Sequence, residues 1–199
     1  MVRTMTDTPK ASTATTRISL VGGNEESPPG RLRRSRLCEF MAAEHARLDE
    51  LLAHSTASSA AIDAGAYQDF RKGLLRHIGI EEKILFPAAQ RHRGGEPLPL
   101  AEKLKSDHGA LAALMMLPPS ASTFRAVRAV LDAHNSLEEA PGGAYEQCES
   151  ILDRQLDELL DRCAKAAEVA VSPWVNSPKV LAAVKRVLIR AGYDASLLD

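Results

Sequence analysis

The chain has 199 residues and a formal net charge of -1, and 45% of its residues are hydrophobic and 26% charged. This composition is typical of one soluble globular domain with tails, and the near-neutral charge argues against nucleic acid or an anionic membrane as a partner. The sequence has no apolar run near the roughly 20 residues of a membrane span, no secretory signal and no metal-type pair among its three cysteines, so we expect a cytoplasmic protein.

Helical signals dominate the first half of the chain, after a leader. Residues 1–30 are rich in Thr, Ser, Pro and Gly and are predicted to be a flexible leader. Apolar residues at three- and four-residue steps then predict helices over about residues 32–54, 65–92 and 98–117. The glycine pair and the proline pair that follow the second and third segments are helix-ending signals.

A fourth helix completes the main domain. We predict that Ser122 or Thr123 caps it and that it ends near Glu139, ahead of a Pro-Gly-Gly turn. Short links between four long helices favour antiparallel neighbours. The predicted fold class is therefore all-α, an up-down four-helix bundle over residues 31–143.

Two further helices are predicted in residues 144–199. One covers about residues 144–170. The other starts at a Ser-Pro pair, a cap followed by proline at the first helical position, and ends at Gly192. We expect this extension to pack on the bundle; the alternative is that its helices form a homodimer or protein-partner surface.

Polar residues interrupt the apolar stripes of the bundle helices. Each of the four helices has one histidine within its stripe, and the second and fourth helices add a glutamate four residues later, on the same helix face. These six candidate metal ligands are His45, His77, Glu81, His108, His134 and Glu138. The neighbouring Glu82 and Glu139 are rotated by about 100° and are expected to face solvent or to lie behind the ligands.

The combination of these residues is more informative than any one of them. A single core histidine usually donates to a backbone carbonyl, but six polar groups buried without partners would cost several kcal/mol each. No arginine or lysine lies on the same stripes. Because bound cations would satisfy all six groups at once, the pattern predicts a metal site. His54 and His92 lie outside the stripes and are expected at the surface.

The ligand pattern also occurs twice. A lone histidine followed by a His-x-x-x-Glu pair is found in the first two helices and again in the third and fourth. The segments RHIGIEE and AHNSLEE, which hold the two pairs, even share a second glutamate. Two halves with the same ligand set predict a pseudo-two-fold site with two metal ions.

These motifs resemble those of the hemerythrin-like, or HHE cation-binding, family. The matching segments are EHARLDELL around His45, HIGIEEKILFP around His77, SDHGALAAL around His108 and AHNSLEE around His134, within about residues 31–140. The resemblance implies two iron ions bridged by both glutamates and an oxo or hydroxo group, with the first two histidines on one iron and the last two on the other. Zinc and manganese suit the same ligands.

The sequence departs from the oxygen-carrying hemerythrins at two positions. Those proteins have a second histidine four residues on in the third helix, where this chain has Ala112, and an aspartate in the fourth helix, where this chain has the His-x-x-x-Glu form. On two six-coordinate iron ions, the ligands implied by the resemblance fill about ten of about twelve positions. An open position is where dioxygen, peroxide or nitric oxide could bind.

Three hypotheses of function follow. The leading one is a di-iron protein that binds oxygen-related small molecules as a sensor, store or scavenger. The second is a di-iron enzyme with peroxidase-like or nitric-oxide-reducing activity, although no acid or base stands out beyond Glu82 and Glu139. The third is a signalling or interaction protein in which the metal is structural.

Overall fold

The computed structural model describes residues 36–56 and 62–199, and every regular element in these residues is helical. The α-helices are α1 (Arg36–Thr56), α2 (Ala64–Ile80), α3 (Phe86–His92), α4 (Ala101–Leu114), α5 (Ala121–Glu139), α6 (Ala144–Leu152), α7 (Leu156–Ala164) and α8 (Pro178–Ala191). A π-helical turn, Glu81–Leu85, joins α2 to α3, and 3₁₀ turns occupy Asp153–Gln155 and Ala195–Leu198. The predicted all-α helical bundle is confirmed, while the predicted leader, residues 1–30, lies outside the described residues.

Two apolar clusters form the core, one on each side of a layer of polar residues. Along α1, Leu37 and Met41 belong to one cluster, Leu48 and Leu52 to the other, and His45 lies between them. Every stripe position predicted for the four bundle helices is buried, so the predicted helix faces are confirmed. None of the helices in the described residues is long and apolar enough to cross a bilayer.

The predicted cap of α5 is wrong. Ser120, rather than Ser122 or Thr123, precedes the helix, and its hydroxyl accepts a hydrogen bond from the Thr123 backbone N–H at 3.0 Å. Ser120 has the extended backbone that a cap requires, whereas both predicted residues are already helical. The predicted end of α8 is confirmed, because Gly192 adopts a left-handed conformation with a φ of 90°.

The single helix predicted over residues 65–92 contains a π turn. Pro87 has no backbone N–H, and its ring would clash with the carbonyl four residues earlier in a regular α-helix. The backbone instead widens, and the Phe86 N–H donates to the Glu81 carbonyl five residues earlier. The wide turn therefore begins at one of the six candidate ligands.

The helix predicted over about residues 144–170 is divided, so that prediction is wrong. α6 ends at Leu152, a 3₁₀ turn follows, and α7 ends at Ala164. Apolar periodicity did not reveal the break because buried leucines continue at the expected spacing on both sides of it. α6 packs against α1, α3 and α5, and α8 packs along α4. The domain boundary proposed at residue 143 stays a prediction.

Candidate metal centre

The six predicted ligands lie in one buried layer between the bundle helices. α1, α2, α4 and α5 contribute one histidine each, and the π turn and α5 contribute the two glutamates. The four histidines are at most 5% exposed and both glutamates are fully buried. Their donor atoms form two groups of four, and within each group all atoms lie within 4.8 Å of one another.

The first group consists of His45, His77, Glu81 and Glu138. The Nε2 atoms of its two histidines lie 2.9 Å apart. Glu81 Oε1 lies 3.5 Å from His77 Nε2, and Glu138 Oε2 lies 3.5 Å from His45 Nε2. Two imidazole nitrogens and two carboxylate oxygens therefore converge.

The second group combines the same two glutamates with His108 and His134. The Nε2 atoms of these histidines lie 3.2 Å apart. Glu81 Oε2 lies 3.0 Å from His108 Nε2, and Glu138 Oε1 lies 3.2 Å from His134 Nε2. Each glutamate thus presents one oxygen to each group, as a bridging carboxylate does.

A cation in each group fits these distances. Neighbouring ligands of an octahedral ion with bonds of about 2.1 Å lie about 3.0 Å apart, close to the separations of the imidazole nitrogens. Glu81 Oε2 and Glu138 Oε1 have no hydrogen-bond partner within residues 36–56 and 62–199. Imidazole nitrogens lie 3.0 and 3.2 Å from them, but the contacts do not have hydrogen-bond geometry.

No lysine or arginine in the described part of the chain compensates the two buried carboxylates. Among the described residues, the ion pairs of Glu81 and Glu138 involve histidines and no lysine or arginine. Arg76 instead forms an ion pair with Glu44 at 2.7 Å. Buried oxygens that lack both a donor and a counter-charge are costly, and a metal ion would satisfy both needs.

Comparison with known families supports the same site. The family model of the hemerythrin HHE cation-binding domain matches residues 36–141, more than half of the chain. The chain belongs to this family. No curated protein and no solved structure matches it. The matched segment contains all six candidate ligands, and the family together with the buried His/Glu groups supports a metal-binding protein.

In this hemerythrin HHE domain, the second glutamate of each repeat supports the lone histidine of the other repeat. Glu139 Oε1 lies 2.5 Å from His45 Nδ1, and Glu82 Oε1 lies 3.0 Å from His108 Nδ1. Both glutamates therefore lie behind the candidate ligands and are also partly exposed, so the structure combines the two positions that the sequence left open. An acceptor at Nδ1 fixes the tautomer of the imidazole, so that the Nε2 lone pair faces the centre.

Sequence reasoning missed Asp107, which is fully buried behind His134. Its Oδ2 lies 3.7 Å from His134 Nδ1, and its Oδ1 accepts hydrogen bonds from Lys103 Nζ at 2.6 Å and the Tyr193 hydroxyl at 2.8 Å. Two donors thus hold a fixed anion beside the imidazole. Asp107 is next to His108 in the sequence, but this did not predict its position beside His134, because adjacent residues of a helix point in different directions.

Sequence reasoning also missed Tyr145, which follows the matched segment. Its buried hydroxyl lies 2.5 Å from Glu81 Oε1, 2.8 Å from Glu138 Oε2 and 3.3 Å from His45 Nε2. The spacing of Tyr145 and Cys148 on one helix face could have indicated that Tyr145 is buried, and a buried tyrosine hydroxyl usually has a polar partner.

A tight turn between α5 and α6 positions Tyr145. Gly142 has a φ of 77°, in the left-handed region that favours glycine. A Cβ at Gly143 would lie 2.5 to 2.8 Å from three carbonyl oxygens at the end of α5. The two glycines therefore allow the chain reversal that brings Tyr145 back to Glu138, seven residues earlier.

The groups of the centre differ in proton affinity. Burial lowers the pKa of His77 to about 4. Burial acts in the same direction on His134, but the carboxylates of Asp107 and Glu138 outweigh it and raise its pKa to about 10. Burial and the nearby charge of Glu81 raise the pKa of Glu138 to about 7. Burial would also raise the pKa of Glu81, but the neighbouring imidazoles, that of His77 foremost, lower it.

A small cavity adjoins three of the imidazoles. Its volume is about 10 Å³, and it is lined by His45, His77, His134, five aliphatic residues, Asp49 and Asn135. This volume is about what one water molecule requires. The cavity therefore suits only a very small molecule.

Other residues considered from the sequence lie elsewhere. His54 and His92 are exposed, as predicted. Ala112, where oxygen-carrying hemerythrins have a histidine, is also exposed and offers no ligand. None of the three cysteines belongs to either group of donor atoms.

Proposed function

We propose that the protein is a non-haem di-iron protein that binds an oxygen-related small molecule, namely dioxygen, peroxide or nitric oxide, as a sensor, store or scavenger. One observation carries the proposal. Glu81 and Glu138 each direct one oxygen to one histidine pair and the other oxygen to the second pair. Two cations that are both bound by the same two carboxylates account for this arrangement better than two unrelated ion pairs do.

The chain's own residues have distinct roles in this proposal. His45 and His77 hold one ion, His108 and His134 hold the other, and the two glutamates bind both. Iron, which the family favours, supplies redox chemistry and open coordination positions for a small ligand. The two apolar clusters on either side of the centre exclude bulk water from it.

The cavity supports the ligand class. It contacts imidazoles of both pairs, so a molecule there is next to both ion positions. Its volume of about 10 Å³, about what one water molecule requires, favours a ligand of very few atoms at this place. Half of its ten lining residues are aliphatic, which favours weakly polar gases over ions.

Metal content and absorption after iron loading test the proposal. The full chain, loaded anaerobically with ferrous iron and then exposed to air, should contain about two iron ions and show the near-ultraviolet absorption of a bridged di-iron centre. The His77→Ala variant should lose this absorption, while the exposed control His54→Ala should keep it. A wild-type protein that binds no iron, or that binds iron without this absorption, contradicts the proposal.

Ligand challenge of the loaded protein tests the role. Stoichiometric spectral changes with nitric oxide, dioxygen or peroxide, without turnover, are expected. Sustained consumption of peroxide or nitric oxide, absent in His77→Ala, would make the protein an enzyme instead. Equal stabilisation by zinc and iron, with no response to any of the three ligands, would make the metal structural.

A further inference from the structure

We propose that Tyr145 is a fifth protein ligand of the first ion position, and that it makes the two halves of the centre chemically different. The inference rests on the proposed function, because it requires a metal ion at the first group. It concerns a residue four positions beyond the end of the segment that matches the family. The site therefore includes a donor from α6, outside the four helices that carry the repeat.

The position of the hydroxyl carries the inference. Three donor atoms of the first group surround it, at 2.5 Å (Glu81 Oε1), 2.8 Å (Glu138 Oε2) and 3.3 Å (His45 Nε2). Neighbouring ligands of an octahedral ion lie about 3.0 Å apart, so the hydroxyl oxygen occupies the place of another ligand of that ion. A residue that served only to pack α6 on the bundle would have no need to place its hydroxyl there.

The Tyr145 hydroxyl contacts the first group on one side of the two glutamates only. It approaches only the glutamate oxygens that face His45 and His77. The opposite oxygens, Glu81 Oε2 and Glu138 Oε1, have no hydrogen-bond partner among the described residues. The tyrosine thus distinguishes two halves that share the same His-Glu ligand pattern.

The binding step is a ligand substitution without electron transfer. The O–H bond of Tyr145 breaks, its proton passes to solvent, and the phenolate oxygen forms a bond to the ion, because metal binding releases protons from its ligands. Tyrosine is an established protein ligand of iron in other contexts. The third negative charge further offsets the charge of the two ions.

The consequence is an unequal number of protein ligands. With each glutamate counted at both ions, the first position has five protein donors and the second has four. The second ion position, at His108 and His134, therefore has more coordination positions open to an exogenous ligand. A small molecule is expected to bind there first.

Vibrational spectroscopy of the iron-loaded full chain tests the inference. Ferric iron bound to a phenolate absorbs visible light, and excitation in that band enhances the ring vibrations of the bound tyrosine. The wild type should show these vibrations, and Tyr145→Phe should lose both the band and the vibrations. Tyr67→Phe is the matched control, because Tyr67 is also fully buried but its hydroxyl lies 3.5 Å from the Leu117 carbonyl oxygen.

Each outcome of this experiment either supports or overturns the inference that Tyr145 is a ligand. Phenolate vibrations that disappear only in Tyr145→Phe support the inference. Wild-type protein with about two iron ions but no phenolate vibrations overturns it and leaves the proposed function intact, because Tyr145 then stays protonated and donates to the glutamates. A visible band that persists in Tyr145→Phe also overturns it. Wild type that binds no iron overturns both, and the wild-type spectrum decides even if the variant does not fold.

Discussion

The two halves of the candidate metal centre start from the same sequence motif but have different surroundings. In the first half, the Tyr145 hydroxyl contacts the candidate donor atoms. In the second half, the buried carboxylate of Asp107 lies behind His134. The repeat therefore determines which atoms are available to a metal ion, whereas residues outside it determine how each half differs in charge and coordination.

The largest effect is expected from a substitution of Glu81, which belongs to both groups of donor atoms. Glu81→Gln takes a negative charge from both groups and replaces one oxygen by an amide N–H₂, which cannot coordinate a cation. We expect the iron content to fall from about two ions per chain to below about one. The control variant Glu50→Gln should keep about two ions, because Glu50 is an exposed residue of α1 that belongs to neither group of donor atoms. Metal analysis after desalting measures both, and an unchanged iron content in Glu81→Gln contradicts the shared role.

Loss of one histidine should affect one half. His77→Ala and His134→Ala each remove one nitrogen from a single group, so each variant is expected to retain about one iron ion per chain. The exposed His92→Ala is the control and should retain about two. Metal analysis at saturating iron makes the comparison. A variant that still binds two ions with unchanged affinity would show that its histidine is not a ligand.

A smaller effect is expected from the carboxylates behind the histidines. Loss of such a partner typically weakens metal binding by about 10–100-fold. Asp107→Asn should reach this range, because the carboxylate is fully buried and water cannot replace it. Glu139→Gln should have a weaker effect, since its side chain is 42% exposed. Chelator competition measures both affinities, and a stronger effect of Glu139→Gln contradicts this ranking.

The smallest expected effect is a difference in pH dependence between the halves. In chelator-treated protein, His134 has a pKa raised from 6.5 to about 10, so its contribution to stability is complete below pH 6.5 and lost as the pH rises towards about 10. His77 has a pKa lowered to about 4, so its burial costs stability as the pH falls from 6.5 towards 4.

Thermal unfolding across this pH range measures the effect. The melting temperature of the chelated wild type should decline above pH 6.5, and Asp107→Asn should reduce the decline because it removes a carboxylate that raises the pKa of His134. Glu139→Gln, whose side chain contacts the other half, is the control and should leave the decline unchanged. A flat profile in the wild type would contradict the charged state of His134.

Helix existence and helix faces were predictable because they depend on local periodicity. The apolar stripes of four helices, and the histidines and glutamates within them, are buried as predicted. Helix ends were less predictable. Ser120 caps α5 although Ser122 and Thr123 are equally good capping residues, and only the backbone conformation distinguishes them. The break after Leu152 leaves the spacing of buried residues intact and therefore has no signal in the sequence.

The sequence by itself determined that the six candidate donor residues lie on buried helix faces, since a turn of 3.6 residues fixes which side chains share a face and a buried polar group requires a partner. The tertiary structure alone decided what surrounds these donors. Tyr145, Asp107 and the crossed contacts of Glu82 and Glu139 depend on how separate helices face one another. Those contacts join residues up to 100 positions apart, and no local pattern encodes that proximity.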